Sequence, residues 1–322
     1  MLVIKNLSIG FREKPGDPIT DVVDNISFSI KKGETVGLVG ESGCGKSVTA
    51  LSIVKLLPVD CSVITHGSIE YEGQDISKLP VDRLRAIRGK KIGFIFQDPM
   101  SSLTPLIPIG NQLIEALSIH DKKTPVKILK EKALETLNKV GIPRPIERFK
   151  SYPHELSGGM RQRIVIAMAI INNPDLIIAD EPTTALDVTI QAQILDLLMK
   201  LKDEYGCSML LISHNLAIIK GTCDKVLVMY AGRVAEESPS NELYSKPLHP
   251  YTKALIGAIP VIGKKSERLF NIEGQVPPPS GYNSGCRFYG RCSESIPVCK
   301  GDNQPKFFTT SNGHFVSCHL YN

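Results

Sequence analysis

The sequence has no long apolar run and no strong excess of one charge. Its longest apolar stretch, residues 164–171, is bounded by Arg163 and Asn172, whereas a membrane-spanning helix needs about 18 apolar residues or more. The first residues continue into polar sequence without the apolar region of a signal peptide. We therefore expect no membrane span and a cytoplasmic location.

The charge and length of the chain exclude few classes of protein. The 322 residues include 38 basic and 33 acidic side chains, for a net charge of +5, which is only a weak indication of nucleic-acid binding. No internal repeat or low-complexity segment is present. The hydrophobic content of 42% is sufficient for buried cores, and the length favours about two domains.

The most informative stretch is residues 40–47, which has the spacing G-x-x-x-x-G-K-S. A buried strand is predicted for residues 35–39 and a helix for residues 48–57, and this context distinguishes a phosphate-binding loop from a chance glycine-rich turn. The backbone N–H groups of such a loop point at phosphate oxygens, and the following helix adds its positive end. Lys46 would neutralise the β- and γ-phosphates, and Ser47 would ligate Mg²⁺. The predicted nucleotide contacts are Gly40, Glu41, Ser42, Gly43, Cys44, Gly45, Lys46, Ser47 and Val48.

Two half-buried strands are predicted before this loop, because apolar and polar residues alternate around residues 7–11 and 26–30. They would form a small antiparallel sheet over the base of the nucleotide. Phe11 could stack on an adenine there, although a plain core aromatic has the same pattern.

Three later apolar strands, predicted at residues 92–96, 176–179 and 208–212, end in the polar residues Gln97, Asp180-Glu181 and His214. Ligands bind at the carboxyl ends of strands in open α/β sheets. Asp180 would hold Mg²⁺ through water, and Glu181 would polarise an attacking water. The alternatives are an ordinary strand end, an exposed acidic turn and a structural histidine.

Residues 101–152 change to helix and loop, with helices predicted at residues 112–120 and 125–140. Ser157 would then cap a helix, and the adjacent Gly158 and Gly159 would let a phosphate approach the backbone closely. This serine–glycine–glycine signal is weak by itself.

The nucleotide domain is predicted to end near Ser238, with helices at residues 241–245 and 251–259 and an extended segment at 275–281.

Four of the eight cysteines then occur with the spacing C-x5-C-x6-C-x18-C: Cys286, Cys292, Cys299 and Cys318. Disulfides are disfavoured in a reducing cytoplasm. Zinc suits four thiolates but usually shows C-x2-C pairs, whereas a [4Fe–4S] cluster has looser spacing; four free cysteines are the remaining alternative. Arg287, Arg291, Lys300 and Lys306 could offset the negative charge of a cluster.

In this order the motifs resemble the ATPase subunits of ABC transporters. The Walker A loop is residues 40–47, the glutamine loop Gln97, the signature residues 156–162, the Walker B segment 176–181, the aspartate loop Ala185 to Asp187, and the switch histidine His214. Beyond residue 241, the stretches 248–255 and 285–292 resemble the ATPases of dipeptide, oligopeptide and nickel importers. Cys44 departs from the serine of many relatives, and we expect its side chain to point away from the phosphates.

The resemblance implies an α/β fold, namely a P-loop ABC-type ATPase with a RecA-like core, an antiparallel β subdomain and a helical signature subdomain at about 101–160. Residues 1–238 would form this nucleotide-binding domain, and residues 239–322 a small cysteine-rich domain. ATP would lie between head-to-tail subunits, with Ser157, Gly158 and Gly159 serving the partner's nucleotide. Ser47 and Gln97 would hold Mg²⁺, and His214 the γ-phosphate.

The resemblance also implies partners and a substrate class. We expect a heterodimer with a paralogous ATPase, two membrane permeases contacted through residues 97–117, and an extracellular binding protein. The chain would be peripheral on the cytoplasmic face of the membrane and would power import of dipeptides or oligopeptides, or alternatively of nickel or another small solute. Some members of this subgroup carry a [4Fe–4S] cluster at the four cysteines, with Zn²⁺ as the alternative.

Two other classes compete with an importer. Soluble ABC ATPases that act on DNA or ribosomes usually have two cassettes or a long coiled coil, and neither occurs here. A metal or redox sensor with a vestigial ATPase is disfavoured by the intact Asp180-Glu181 pair.

Overall fold

The computed structural model describes residues 1–14, 16–184, 186–259, 272–310 and 313–321, so Ala185 of the predicted aspartate loop lies outside the described residues. The strands are β1 Leu2–Phe11, β2 Thr20–Ile30, β3 Thr35–Val39, β4 Ser62–Tyr71, β5 Gln74–Asp75, β6 Ile92–Ile95, β7 Leu176–Asp180, β8 Ser208–Ser213, β9 Lys225–Tyr230, β10 Arg233–Pro239, β11 Phe307–Thr309 and β12 Phe315–Ser317. The helices are α1 Lys46–Ile53, α2 Val81–Arg85, α3 Pro99–Ser102, α4 Ile109–Ser118, α5 Val126–Lys139, α6 Pro145–Arg148, α7 Gly158–Ile170, α8 Val188–Tyr205, α9 Leu216–Ile219, α10 Ser240–Ser245 and α11 Pro250–Gly257.

The chain divides into two compact units. Unit 1 comprises Met1–Ile30, Thr35–Ser77 and Leu211–Asn322, and unit 2 comprises Lys31–Glu34 and Lys78–Leu210. Unit 1 therefore contains the phosphate-binding sequence and the four clustered cysteines, and unit 2 contains the signature sequence and the acidic pair.

Unit 1 contains an antiparallel sheet in the strand order β2-β1-β4-β5. The two predicted N-terminal strands are confirmed, with Leu2 opposite Ile30 and Phe11 opposite Thr20. Their alternating apolar side chains are buried, including Leu7, Ile9 and Ile26, as the period of two requires.

A second set of strands in unit 1 follows the order β11-β12-β10-β9-β3. β3 is buried at every position and pairs in parallel with β9, which is typical of a strand covered on both faces. β9 and β10 form a hairpin, because β10 runs antiparallel to β9. β11 and β12 were not predicted, since each is only three residues long.

The first helix is shorter at its C-terminal end than predicted. α1 spans Lys46–Ile53 instead of residues 48–57, because Lys55 adopts a left-handed conformation with φ +49°. The N–H of Leu56 donates to the Leu51 carbonyl and that of Lys55 to the Ser52 carbonyl. This is a Schellman motif, which usually has glycine at the left-handed position, so a lysine there gives no stop signal.

Unit 2 contains the parallel pair β6 and β7, in which Ile92 lies opposite Leu176. α7 packs closely on β6, since a Cβ on Gly93 would lie 2.2 Å from the Ala169 carbonyl oxygen. The helices predicted at residues 112–120 and 125–140 are confirmed with shifted bounds, and α8 begins after its cap Asp187. In the parts of the chain described, no helix is both long and apolar enough to cross a bilayer.

Candidate active site

The loop between β3 and α1 curls through glycines that no other residue could replace without strain. Gly43 and Gly45 have φ values of +81° and +103°, and a Cβ on Gly40 would lie 2.1 Å from the Met229 carbonyl oxygen. Left-handed backbone and close backbone approach are the two situations that favour glycine. The spacing seen in the sequence therefore corresponds to a tight loop at the start of a helix.

Lys46 is the first residue of α1 and is only 4% exposed. Its ammonium donates to the carbonyl oxygens of Gly40 at 2.8 Å and Glu41 at 3.0 Å. Ser47 follows in the first turn and is half-buried. The positive charge and the hydroxyl thus stand at the helix N-terminus, the end of a helix that binds anions.

Cys44 is fully buried in the loop. Burial raises the pKa of its thiol to about 11, against the opposing charge of Lys46. A protonated, buried thiol acts as a small apolar side chain and is chemically inert. Cysteine therefore fits the position at which many relatives have serine.

A cavity of about 460 Å³ in unit 1 is lined by Phe11 and Val22, and by Pro279 and Ser280 from the far end of the sequence. It adjoins the phosphate loop, because a Cβ on Gly45 would lie 3.5 Å from the Val22 carbonyl oxygen. Phe11 is half-buried and has its ring beside this space. The cavity is the candidate site for a nucleotide base, and stacking by Phe11 stays a prediction.

In unit 2, the acidic pair lies at the end of β7, with Asp180 4% and Glu181 9% exposed. One Glu181 carboxylate oxygen accepts hydrogen bonds from the Gln97 amide nitrogen at 3.1 Å and the Thr184 hydroxyl at 2.9 Å. Glu181 has φ +46°, a conformation that costs a non-glycine residue about 1–3 kcal/mol and that clusters at functional sites. The structure therefore brings Gln97 and Glu181 together, because each follows a strand of the parallel pair β6 and β7 at the same edge of the sheet.

Ser157 caps α7, as predicted, because its hydroxyl accepts a hydrogen bond from the Met160 N–H at 3.3 Å. Ser157 and Gly158 are exposed, and Gly159 is half-buried. A Cβ on Gly159 would lie 3.1 Å from the Ile190 side chain. Gly159 is thus constrained by packing as well as by access to its backbone.

His214 directly follows β8 and is exposed. It belongs to unit 1 with the phosphate loop, whereas Gln97, Ser157 and the acidic pair belong to unit 2. The structure places His214 at a strand exit, as the sequence predicted.

All four clustered cysteines are free thiols. Cys286, Cys299 and Cys318 are buried, and Cys292 is partly exposed. Burial is the largest cause that raises the pKa of Cys286, to about 11, and the three other thiols raise it further. The four sulfurs are therefore close enough to interact electrostatically. Over the described ranges, however, no group of three or more His, Cys, Asp or Glu side chains is placed to hold a metal ion.

Backbone N–H groups point at three of these sulfurs. Cys286, Cys292 and Cys318 each accept a hydrogen bond from the N–H two residues later in the chain, which lowers the pKa of each thiol against the larger effect of burial. Such donors favour the thiolate, the form that binds a metal.

Two of the four cations expected to offset the charge of a cluster, Arg287 and Arg291, form ion pairs with other parts of unit 1. Arg287 pairs with Asp24 and also donates to the Ala231 carbonyl oxygen, while Arg291 pairs with Glu41 at 3.0 Å. Their charges are therefore compensated by carboxylates of the nucleotide-binding part of unit 1. Sequence spacing cannot show this, because the partners lie more than 200 residues away.

Two family profiles match the chain. The family described as ABC transporter matches residues 23–184, and the family described as Oligopeptide/dipeptide transporter, C-terminal region, matches residues 235–299. The chain is also 46% identical over 321 residues to the oligopeptide transport ATP-binding protein AppD of Bacillus subtilis, covering 100% of this chain and 97% of that protein. The chain belongs to the ABC transporter ATP-binding proteins. The resemblance inferred from the motifs is thereby confirmed.

Other relatives agree with this membership. The dipeptide transport ATP-binding protein DppD of Bacillus subtilis is 45% identical over 320 residues, covering 99% of this chain and 94% of that protein. Among solved structures, the dimeric cassette MJ0796, a bacterial ABC transporter cassette, matches with a TM-score of 0.65 and 30% identity, over 74% of this chain and 98% of that one. This ABC protein is an ATPase, and its fold is the predicted P-loop type.

Several residues of this ABC ATPase site were not predicted from the sequence. Thr184 contacts Glu181, Ser280 lines the base cavity, and the Tyr251 hydroxyl accepts a hydrogen bond from the Glu41 N–H at 2.9 Å. Tyr251 lies within a stretch that marks the importer subgroup, but its contact with the loop has no local sequence signal.

Proposed function

We propose that this ABC ATPase powers the import of dipeptides or oligopeptides. The observation that carries the proposal is the buried Glu181 carboxylate, held by Gln97 and Thr184 directly after Asp180. A general base in that position suits hydrolysis of ATP. The C-terminal match and the names of AppD and DppD support peptides as the transported class.

Each predicted site residue has a role in the proposed mechanism. Lys46 would neutralise the β- and γ-phosphates, and Ser47, Gln97 and Asp180 would help to hold Mg²⁺, which would offset the negative charge of the phosphates. Glu181 accepts a proton from the attacking water. Gly40, Gly43 and Gly45 carry no side chain that would keep a phosphate from the loop backbone, so the residues present fit ATP with Mg²⁺. His214 is assigned to the γ-phosphate.

A second subunit completes the site in this proposal. The exposed N-terminus of α7, with Ser157, Gly158 and Gly159, offers a helix positive end to a partner's ATP. The solved MJ0796 cassette is dimeric, which supports a paired arrangement. We assign the partner as a paralogous ATPase, with residues 1–238 as the nucleotide-binding domain, residues 239–322 as the C-terminal domain, and about 101–160 as the helical subdomain.

Membrane permeases are the other proposed partners, together with an extracellular binding protein. The segment after β6 exposes the apolar side chains of Met100, at 56%, and Leu106, at 84%. Exposed apolar side chains on one segment suit a protein interface. We assign the ATPase a peripheral position on the cytoplasmic face of the membrane, in contact with the permeases.

The test is reconstitution of the chain with candidate permeases and a candidate binding protein. We expect ATP hydrolysis and uptake to be stimulated by dipeptides or oligopeptides, and Lys46→Ala to abolish both. Stimulation by nickel alone would favour the nickel importer. Failure to pellet with membranes when the permeases are co-expressed would favour a soluble ABC ATPase.

We also propose that Cys286, Cys292, Cys299 and Cys318 bind a [4Fe–4S] cluster. A single zinc ion needs its sulfurs about 2.3 Å from one point, whereas the thiolates of a cluster bind four different irons and stand further apart. The electrostatic effect of the other three thiols on Cys286 supports one shared site for the four sulfurs. When bound, the cluster would crosslink a segment with few apolar residues and so stabilise it.

Metal analysis tests this assignment. After anaerobic purification, we expect four irons and matching sulfide per chain, with broad visible absorbance, and loss of both in Cys299→Ser. Cys207→Ser, at a buried cysteine of unit 2, is the matched control and should keep the iron. One zinc per chain without iron would contradict the cluster.

A further inference from the structure

The C-terminal region, residues 239–322, holds the phosphate loop through Glu41. The Glu41 carboxylate pairs with the Arg291 guanidinium, with oxygens 3.0 and 3.1 Å from the same nitrogen. The Arg291 side chain is only 9% exposed, so solvent screens this pair less than a surface pair. Its remaining N–H groups donate to the carbonyl oxygens of Glu273, at 2.8 Å, and Gly274, at 3.3 Å. Arg291 is thus fixed in place before it reaches the loop.

A second contact engages the backbone of the same residue. The Glu41 N–H donates to the Tyr251 hydroxyl at 2.9 Å, and Tyr251 is fully buried. The Tyr251 ring packs edge-on against Tyr230, at 4.8 Å between centroids, and contacts Phe288 at 5.3 Å. Because aromatic packing holds the ring, the hydroxyl is a rigid acceptor.

These contacts affect the part of the loop that supports Lys46. The Lys46 ammonium is bound to the carbonyl oxygens of Gly40 and Glu41. A shift of Glu41 would therefore move both the loop backbone and the position from which Lys46 reaches a phosphate. Holding such groups close to the productive geometry requires rigid supporting residues.

We propose that Tyr251 and Arg291 are positioning residues that keep the phosphate loop in its nucleotide-binding shape. ATP affinity then depends on the C-terminal region, through the contacts of both residues with Glu41. The proposal rests on the ATP site assigned above and is independent of peptide transport and of the cluster. By thermodynamic reciprocity, bound ATP also stabilises the contacts that Tyr251 and Arg291 make.

The decisive experiment measures the dissociation constant of a fluorescent ATP analogue on the purified full chain. Tyr251→Phe deletes only the hydroxyl, and we expect about fivefold weaker binding, the usual effect of one lost hydrogen bond. Arg291→Met should weaken binding by a similar factor. The matched control is Tyr282→Phe, because the Tyr282 hydroxyl makes no hydrogen bond within the described residues. That variant should bind ATP as the unmodified chain does.

A double-mutant cycle tests whether Arg291 acts through Glu41. Glu41→Gln removes the charge of the side chain but keeps its size. We expect the double variant, with both Glu41→Gln and Arg291→Met, to bind ATP as tightly as the single variant that has the lower ATP affinity. Additive losses would contradict the coupling and overturn the role of Arg291. Should Arg291→Met fail to fold, Tyr251→Phe still decides the proposal.

Hydrogen exchange provides a readout that a merely structural role would leave unchanged. ATP should slow exchange of the amides at residues 288–292 in the unmodified chain, and should slow it less in Tyr251→Phe. If Tyr251→Phe and Arg291→Met both bind ATP with a dissociation constant within twofold of that of the unmodified chain, the proposal is overturned. No ATP binding by the unmodified chain would instead contradict the proposed function.

Discussion

At the scale of single residues, Glu181 combines a buried carboxylate, two hydrogen-bond donors and a left-handed backbone. Strain of this kind persists only where the surrounding structure maintains it. Gln97 and Thr184 both donate to the same oxygen of Glu181, so they orient the carboxylate that accepts a proton in our mechanism. The role of Glu181 can therefore be tested without removing its hydrogen bonds.

We predict that Glu181→Gln keeps ATP binding but lowers turnover by about 100-fold or more, since an amide cannot accept a proton from water. The same change should stabilise an ATP-bound pair of subunits. ATP hydrolysis by the assembled complex, together with nucleotide affinity, measures the effect. Asp203→Asn, at an exposed position, is the control, and near-normal hydrolysis by Glu181→Gln would contradict our assignment.

The second prediction at this scale concerns Cys44. Its burial and its pKa of about 11 keep the thiol protonated at pH 8, and only the thiolate reacts readily with alkylating reagents. We expect iodoacetamide at pH 8 to modify the partly exposed Cys61 well before Cys44 in the folded chain. Peptide mass spectrometry measures both sites, and equal labelling would show that the loop opens in solution.

At the scale of elements, α11 depends on an unusual cap. His249 accepts the Tyr251 N–H on its Nδ1 atom at 3.0 Å, which requires a neutral ring. Burial lowers the pKa of His249 to about 4, against the opposing effect of Glu236. The helix that supplies Tyr251 to the phosphate loop therefore begins at a histidine that must stay uncharged.

This cap predicts a pH-dependent stability. The unfolded chain binds a proton at His249 below about pH 6.5, whereas the folded chain does so only near pH 4. The unfolded state thus binds more protons between these values, and the free energy of unfolding falls as the pH falls, by up to about 3 kcal/mol.

The measurement compares the change in melting temperature between pH 7.5 and 5.0 in the unmodified chain and in His249→Asn. Asparagine caps helices well and does not titrate, so the variant should lose less stability on acidification. Equal losses would indicate that other groups account for the acid sensitivity.

At the scale of the whole molecule, the exposed N-terminus of the signature helix α7 is the main reason to expect assembly. In the proposed arrangement, Ser157 and its glycines complete a site only in another subunit, so the chain by itself lacks half of each nucleotide site. We therefore predict that the isolated chain is mostly monomeric and hydrolyses ATP slowly.

Light scattering after size-exclusion chromatography and steady-state ATP hydrolysis test this prediction. Addition of the paralogous ATPase and the permeases should raise turnover per site. A tight homodimer without nucleotide, at full activity, would contradict a heteromeric assembly.

The sequence by itself determined the family, the order of the motifs and the ATPase chemistry. Phosphate-binding loops need glycine, lysine and serine at fixed local spacing, and buried strands need continuous apolar residues, so both features are visible in a short window. The cap at Ser157 and the polar residues after β6, β7 and β8 were predictable for the same reason.

The tertiary structure decided what depends on distant parts of the chain. α1 ends at Ile53 because Lys55 takes the left-handed position that glycine usually occupies, and two backbone hydrogen bonds close the turn there. β11 and β12 form because β12 pairs with β10 and β11 pairs with β12. Arg291 and Tyr251 reach Glu41 across more than 200 residues of sequence. Charge pairing and aromatic packing at such separations leave no local pattern, so only the folded chain shows that its C-terminal region holds the phosphate loop.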